Sequence, residues 1–392
     1  MPGARHRLRP RSALEPSALE LVPLEGGSPP ACAPRTTFPE CVRRPPTEGR
    51  LRAWAVRARA DRRLDDRRDM KRIRLGRSDL EVSPICFGTW QFGGDWGSLD
   101  EQENVDAMRR ALELGVNFFD TAQAYGFGAS EQLVQKALGD ELRSRRDEIV
   151  IATKGGLRMT DDGLERDSSP QWLRQGVEDS LGYLGVDHVD LYQIHWPDKD
   201  TPFEETAGAL SELVREGKIR HVGVSNFNAD EMRGLESGIA VETLQPPYHL
   251  FRRDIEADVL PYCREHDIGV LVYGPLAHGL LSGKFARDTQ LDDDDWRASS
   301  ELFQGENFER NLEVVEDLGR FAQERGHTVA QLAVAWTLAQ PGVHVAITGA
   351  RRPDHIEGTA PAADIELSDD DLQRIDQIME GAVSVAGPTP EG

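Results

Sequence analysis

Residues 189–225 read VDLYQIHWPDKDTPFEETAGALSELVREGKIRHVGVS. Val189 to His195 reads as a strand, Pro202 to Glu216 as a helix, and Ile219 to Ser225 as a second strand. Both strands are too apolar for a sheet with one wet face, so two parallel strands joined by a crossover helix are the expectation. The same unit recurs on either side. Upstream, Ile85 to Thr89, Asn117 to Asp120 and Glu148 to Lys154 read as strands. Asp100 to Gly115, Ser130 to Leu138 and Ser169 to Gly185 read as the helices that separate them. Downstream come strands at Glu242 to Gln245, Ile268 to Tyr273 and Val343 to Thr348, with a helix from Asp258 to His266.

About eight alternations call for a parallel sheet. A doubly wound nucleotide-binding sheet needs G-x-G-x-x-G between its first strand and helix. Gly126-Phe127-Gly128 is followed by Ala-Ser-Glu and lacks the third glycine. The α/β class is therefore read as a (β/α)8 TIM barrel over residues 70–392, with long C-terminal-face loops. Leu276 to Phe308 is long and polar; it is read as a lid over the barrel mouth rather than core.

Residues 1–69 show neither a 2.0 nor a 3.6 period and are rich in Arg, Pro and Ala. They lack the apolar stretch of a signal peptide, so they are read as a disordered or mis-annotated N-terminal extension, with Met70 as the natural start. That stretch carries 15 Arg and no Lys against nine acids, a balance of +6. The whole chain stands at −22, so the other 323 residues carry −28. Such acidity argues against nucleic acid and anionic membrane as partners. No apolar run approaches the roughly 20 residues of a membrane helix. Four unpatterned cysteines give no zinc ribbon or disulfide scaffold, so a cytoplasmic protein is expected. Six Lys against 40 Arg, with the acidic run Asp292 to Asp295, suggest an acidic, halophile-like surface.

A barrel gathers its chemistry at the C-terminal ends of the strands. Asp120, Lys154 and His195 close three successive strands, and Tyr125 follows Asp120 by five residues. Singly, each has an ordinary explanation: a turn or cap for Asp120, a groove-filling loop residue for Tyr125, a satisfied core imidazole for His195. A lysine closing an apolar strand is harder to explain away, because burying it without an acid is costly. Their joint occurrence marks them as candidate catalytic residues.

The motifs extend well beyond these four. They include Phe87-Gly88-Thr89-Trp90, Asp120-Thr121-Ala122 with Tyr125-Gly126, Thr153-Lys154 and Gln193-Ile194-His195-Trp196. Gly223-Val224-Ser225-Asn226-Phe227, Tyr273-Gly274-Pro275-Leu276 with Gly279 to Lys284, and Gly349-Ala350-Arg351 follow. In this order, from about Lys71 to Met379, the chain resembles the aldo-keto reductase family, in the microbial branch related to potassium-channel β subunits. The resemblance implies that Tyr125 protonates a carbonyl oxygen as hydride arrives at carbon. It also implies that Lys154 lowers the tyrosine's pKa, that Asp120 holds Lys154 charged, and that His195 steers the substrate oxygen.

The hydride implies a nicotinamide cofactor. By the same resemblance Ser225, Asn226 and Gln245 hold the carboxamide and Tyr273 stacks on the nicotinamide, while Gly88, Thr89 and Trp90 line the pocket. Gly274, Pro275, Leu276 and Lys284 match the pyrophosphate stretch, and Gly349 and Arg351 the adenosine-phosphate end. A guanidinium suits a 2′-phosphate, so NADP (NADPH) is favoured. His355 stands where Gln is common, and Thr359 where Asn is common. The leading expectation is an NADP-dependent reductase taking a small-molecule carbonyl or alcohol substrate, with no metal, as a monomer or weak homo-oligomer. The alternatives are a cofactor-sensing regulatory binding protein with the same barrel, and a metal-dependent barrel hydrolase using His195 and Asp120. The second lacks an H-x-H or a further strand-end His.

Overall fold

The computed structural model describes residues 70–93, 100–161, 163–291 and 295–385. The expected extension at 1–69 and the acidic run's Asp292 to Asp294 lie outside them. A short antiparallel hairpin, β1 (Ile73–Arg74) and β2 (Glu81–Val82), precedes the barrel. Eight parallel strands then close on themselves in chain order: β3 (Ile85–Gly88), β4 (Phe118–Asp120), β5 (Val150–Gly155), β8 (Val189–Ile194), β9 (Ile219–Ser225), β10 (Thr243–Gln245), β11 (Gly269–Tyr273) and β12 (Val345–Gly349). An exposed hairpin, β6 (Leu157–Thr160) with β7 (Gly163–Arg166), interrupts the sequence between β5 and β8. The expected (β/α)8 TIM barrel is the observed fold.

Helices return the chain between strands: α1 (Glu101–Glu113), α2 (Ala129–Ser144), α3 (Pro170–Leu184), α4 (Phe203–Arg215), α5 (Ala229–Glu236) and α6 (Val259–Glu265). α7 (Gly305–Glu324) and α8 (Val329–Leu338) precede β12; α9 (Pro353–Thr359) and α10 (Asp369–Met379) follow it. Local chemistry sets the ends of α1 and α3. The Asp100 carboxylate accepts from the backbone N–H groups of Gln102 and Glu103 at the start of α1. Ser169 caps α3, Pro170 opens it, and Gly185 ends it in a left-handed conformation with φ 67°.

Alternation along the strands divides the core in two. Cys86, Phe118, Val150, Ala152, Leu191, Leu271, Val345 and Ile347 pack together inside the barrel. Their neighbours Phe87, Phe119, Ile151, Tyr192, Val270, Val272 and Ala346 belong to the larger cluster shared with the helices. Continuing the inward parity by one or two steps reaches Gly88, Asp120, Lys154, Gln193, Gln245, Tyr273 and Gly349. The register pairs Gly88 with Asp120, Lys154 with Gln193, Ser225 with Gln245 and Gly349 with Gly88, so the upper ends of the strands share one layer.

Two expectations change. The helix expected over Ser130 to Leu138 runs on to Ser144, because Leu142 continues its buried face. The Leu276 to Phe308 segment is not all outside the core: Ala277, Leu280, Leu281 and Leu302 are fully buried or nearly so. It is wedged in place by its own apolar residues, and only part of it faces the mouth. Among the described residues no helix is long and apolar enough to cross a membrane.

Candidate active site

Lys154 lies at the centre of the upper layer. Its side chain is 1% exposed, so its charge needs an anion close by. Nζ donates to Asp120 Oδ1 at 2.5 Å, to the Thr121 carbonyl at 3.1 Å and to the Tyr125 hydroxyl at 3.0 Å. All three N–H bonds of the ammonium thus have acceptors. The other oxygen of Asp120 accepts from Gln245 Nε2 at 2.9 Å and from Gln193 Nε2 at 3.3 Å. Strand register explains the meeting, since β4, β5, β8 and β10 end at one height.

Tyr125 comes from the turn after β4, held by backbone bonds from its N–H to Ala122 and from Ser130 to its carbonyl. Its ring meets His195 edge to face, with centroids 5.6 Å apart. The four catalytic candidates Asp120, Tyr125, Lys154 and His195 are thereby brought together, and all are buried.

Beside them opens a cavity of about 540 Å³. Its lining includes Asp120, Tyr125 and Gln245, and also Lys284, Arg351 and His355. Gly88, Thr89, Trp90, Tyr273, Gly274, Pro275, Leu276 and Gly349 line it too. Twelve of the fourteen expected cofactor residues therefore line a single space. Ser225 and Asn226 are not among its lining residues. Ser225 Oγ donates to the Gln245 carbonyl at 2.9 Å. Asn226 adopts a left-handed backbone, φ 63°, donates to the His195 carbonyl at 3.0 Å, and accepts from the Tyr273 hydroxyl at 2.9 Å. In this arrangement the pair braces Gln245, His195 and Tyr273.

Further lining residues escaped sequence reasoning: Gln91, His278, Phe285, Arg297 and Thr328. Gln91 Nε2 donates to the carbonyls of Gly88 and Ala350, tying β3 to β12. His278 has φ 56° and packs edge-on against Trp296 at 4.7 Å, while Trp296 also meets Trp90. Arg297 is held by Asp295 and donates to the His278 carbonyl. These residues come from the 276–308 segment, the turn after β3 and, for Thr328, the N-cap of α8, where no periodicity announces a contact.

A dinucleotide fits this donor set. A Cβ on Gly274 (φ 70°) would face open cavity, its nearest neighbour being His278 at 4.0 Å, so the bare backbone leaves room for a bulky anion. Cations from Lys284 and Arg351 line the same cavity. No cluster of three or more metal-ligating side chains occurs among the described residues.

Residues 84–380 match the Aldo/keto reductase family. Aldo-keto reductase YhdN of Bacillus subtilis (strain 168) is 39% identical over 317 residues, covering 80% of this chain and 95% of that protein. The NADH-specific methylglyoxal reductase of Escherichia coli (strain K12) is 35% identical, covering 79% and 99%. The structure of a glycerol dehydrogenase from Gluconobacter oxydans superposes with a TM-score of 0.75 at 39% identity, covering 82% of this chain and 99% of that one. With a closed barrel, a lysine buried between an acid and a tyrosine, and relatives matched over nearly their full length, the chain belongs to the aldo/keto reductase family of oxidoreductases.

Proposed function

We propose that the protein is an NADPH-dependent reductase of aldehydes or ketones, working reversibly, with Tyr125 as proton donor. One observation carries the reading: a single ammonium bridges a buried carboxylate and a phenol, and both of these partners line a cavity whose wall also carries Lys284 and Arg351. A bound nicotinamide supplies the hydride. The protein's own task is the negative charge that develops on the carbonyl oxygen.

Tyr125 gives its hydroxyl proton to that oxygen and is left as a phenolate. Lys154, donating to the phenol oxygen, favours the phenolate electrostatically. Asp120 anchors the ammonium and, through Gln193 and Gln245, is itself held in place. His195, against the edge of the Tyr125 ring, orients the carbonyl oxygen. Positioned acid catalysis of this kind typically contributes about 10²–10⁴-fold.

For the dinucleotide, Gln245 and Tyr273 take the nicotinamide end, the Gly274 turn and Lys284 the diphosphate, and Arg351 the 2′-phosphate. The Escherichia coli relative is named for NADH, so the preference rests on Arg351 in this chain and not on kinship. The test is oxidation of NADPH and NADH at 340 nm with a panel of aldehydes and ketones, with and without chelator. Turnover with NADPH, unaffected by chelator, is expected. Arg351→Ala should raise the KM for NADPH at least tenfold more than that for NADH. Absence of turnover with any carbonyl would contradict the reductase reading; equal effects on both cofactors would contradict the role of Arg351.

A further inference from the structure

In the lining of the same cavity, Lys284 Nζ lies 3.2 Å from His355 Nε2. Two positive charges at that distance would repel strongly, so the ammonium donates and the imidazole accepts as the neutral Nδ1–H tautomer. We propose that His355 is a proton-linked sensor of the 2′-phosphate: it takes up a proton when a 2′-phosphorylated dinucleotide binds, so selection against the unphosphorylated dinucleotide sharpens as the pH falls toward neutrality. The inference rests on the NADPH reading above and adds to it a residue and a direction.

The surroundings suit that switch. Burial and then the Lys284 ammonium hold the His355 imidazole below its ordinary pKa, with Arg352 and Arg351 adding to the effect. Asp354 opposes them, but its carboxylate is engaged by Arg352 through two bonds of 2.9 Å and lies 4.0 Å from His355 Nε2. From α1, Arg110 pairs with Glu357, and the Glu103 carboxylate acts electrostatically on Arg352. α8 brings no charged side chain. A dianion entering beside Arg351 and Lys284 would reverse the balance. Lys284 turns its protons to the phosphate, and the freed Nε2 lone pair takes a proton from solvent. The imidazolium then becomes a third cation at the anion.

A group whose pKa is low in the free protein and raised in the complex gives tighter binding as pH falls between the two values, by at most tenfold per unit. The phosphate's own second pKa, about 6, is kept out by working above it and by reference to a variant. The experiment is titration calorimetry of the full chain with NADP⁺ and with NAD⁺, from pH 6.8 to 8.2. Two buffers of different ionisation enthalpy are used at each pH. NADP⁺ should bind with uptake of several tenths of a proton more than in His355→Gln, and its Kd should fall several-fold from pH 8.2 to 6.8. NAD⁺ should show neither effect. Undiminished uptake or pH slope in His355→Gln, with NADP⁺ still preferred, overturns the sensor alone. Equal affinity for NADP⁺ and NAD⁺ at every pH overturns the NADPH reading and the sensor together.

Discussion

Lys154 shows how one residue ties stability to chemistry. Its ammonium is buried, so folding strips its water and returns three acceptors, one of them ionised. Removing one partner of a buried pair costs about 3–5 kcal/mol, since the other charge is left uncompensated. Asp120→Asn and Lys154→Met should therefore each lower stability as well as turnover, since each leaves the other member of the buried pair uncompensated. Lys154→Met and Tyr125→Phe should each cost about two orders of magnitude or more in carbonyl reduction. The double variant should be scarcely worse than either, because both act on one proton transfer. Additive losses in that kinetic cycle would contradict the coupling. At this scale the residue types and their strand-end places were legible in the sequence, since period-2 alternation determines which side chains enter the barrel. Rotamers were not. Gln245 matches a carboxamide holder, yet its amide nitrogen here donates to Asp120, and an amide side chain can serve either partner.

At the scale of elements, the barrel's opposite end carries a charge device of its own. His221 of β9 sits between Glu242 at 2.7 Å and Asp79, from the β1–β2 turn, at 2.9 Å. Burial disfavours its charge, but the two carboxylates outweigh burial and raise its pKa. A raised folded-state pKa gives stability that is full below about 6.5 and is lost as pH rises through the folded value. Thermal unfolding should thus show Tm falling as pH goes from 6 upward past that value. His221→Gln should flatten the fall, and an unchanged slope would contradict the device. Strongly periodic elements such as α1, α3 and α4 were legible in sequence. α8 was not: Val329 to Leu338 is apolar nearly all round and buried on most sides, so it shows no amphipathic stripe. The β6–β7 hairpin escaped for the opposite reason, since its residues are mostly exposed and few need to be apolar.

For the whole molecule, the sequence made the closed barrel legible because eight apolar strands separated by helices leave few other solutions. The contacts of the 276–308 segment were not legible, because aromatic packing such as Phe285 against Phe303 and Phe308 follows no period. Charge is the other property of the whole. With −28 on the 323 residues from Met70 onward, self-repulsion is long-ranged at low salt and screened at high salt, the Debye length falling from about 10 Å at 0.1 M to 3 Å at 1 M. Molar salt should raise Tm and sustain turnover. A Tm that falls steadily from 0.1 to 2 M potassium chloride would contradict an adaptation to salt.

Tyr125→Phe removes one oxygen and little volume, so it isolates the proton donation proposed for Tyr125. Its carbonyl reduction should be measured at 340 nm together with NADPH binding by fluorescence. Unchanged folding, near-normal NADPH affinity and a turnover lower by about two or more orders of magnitude are expected. Near-normal turnover with NADPH still bound would contradict that proton donation.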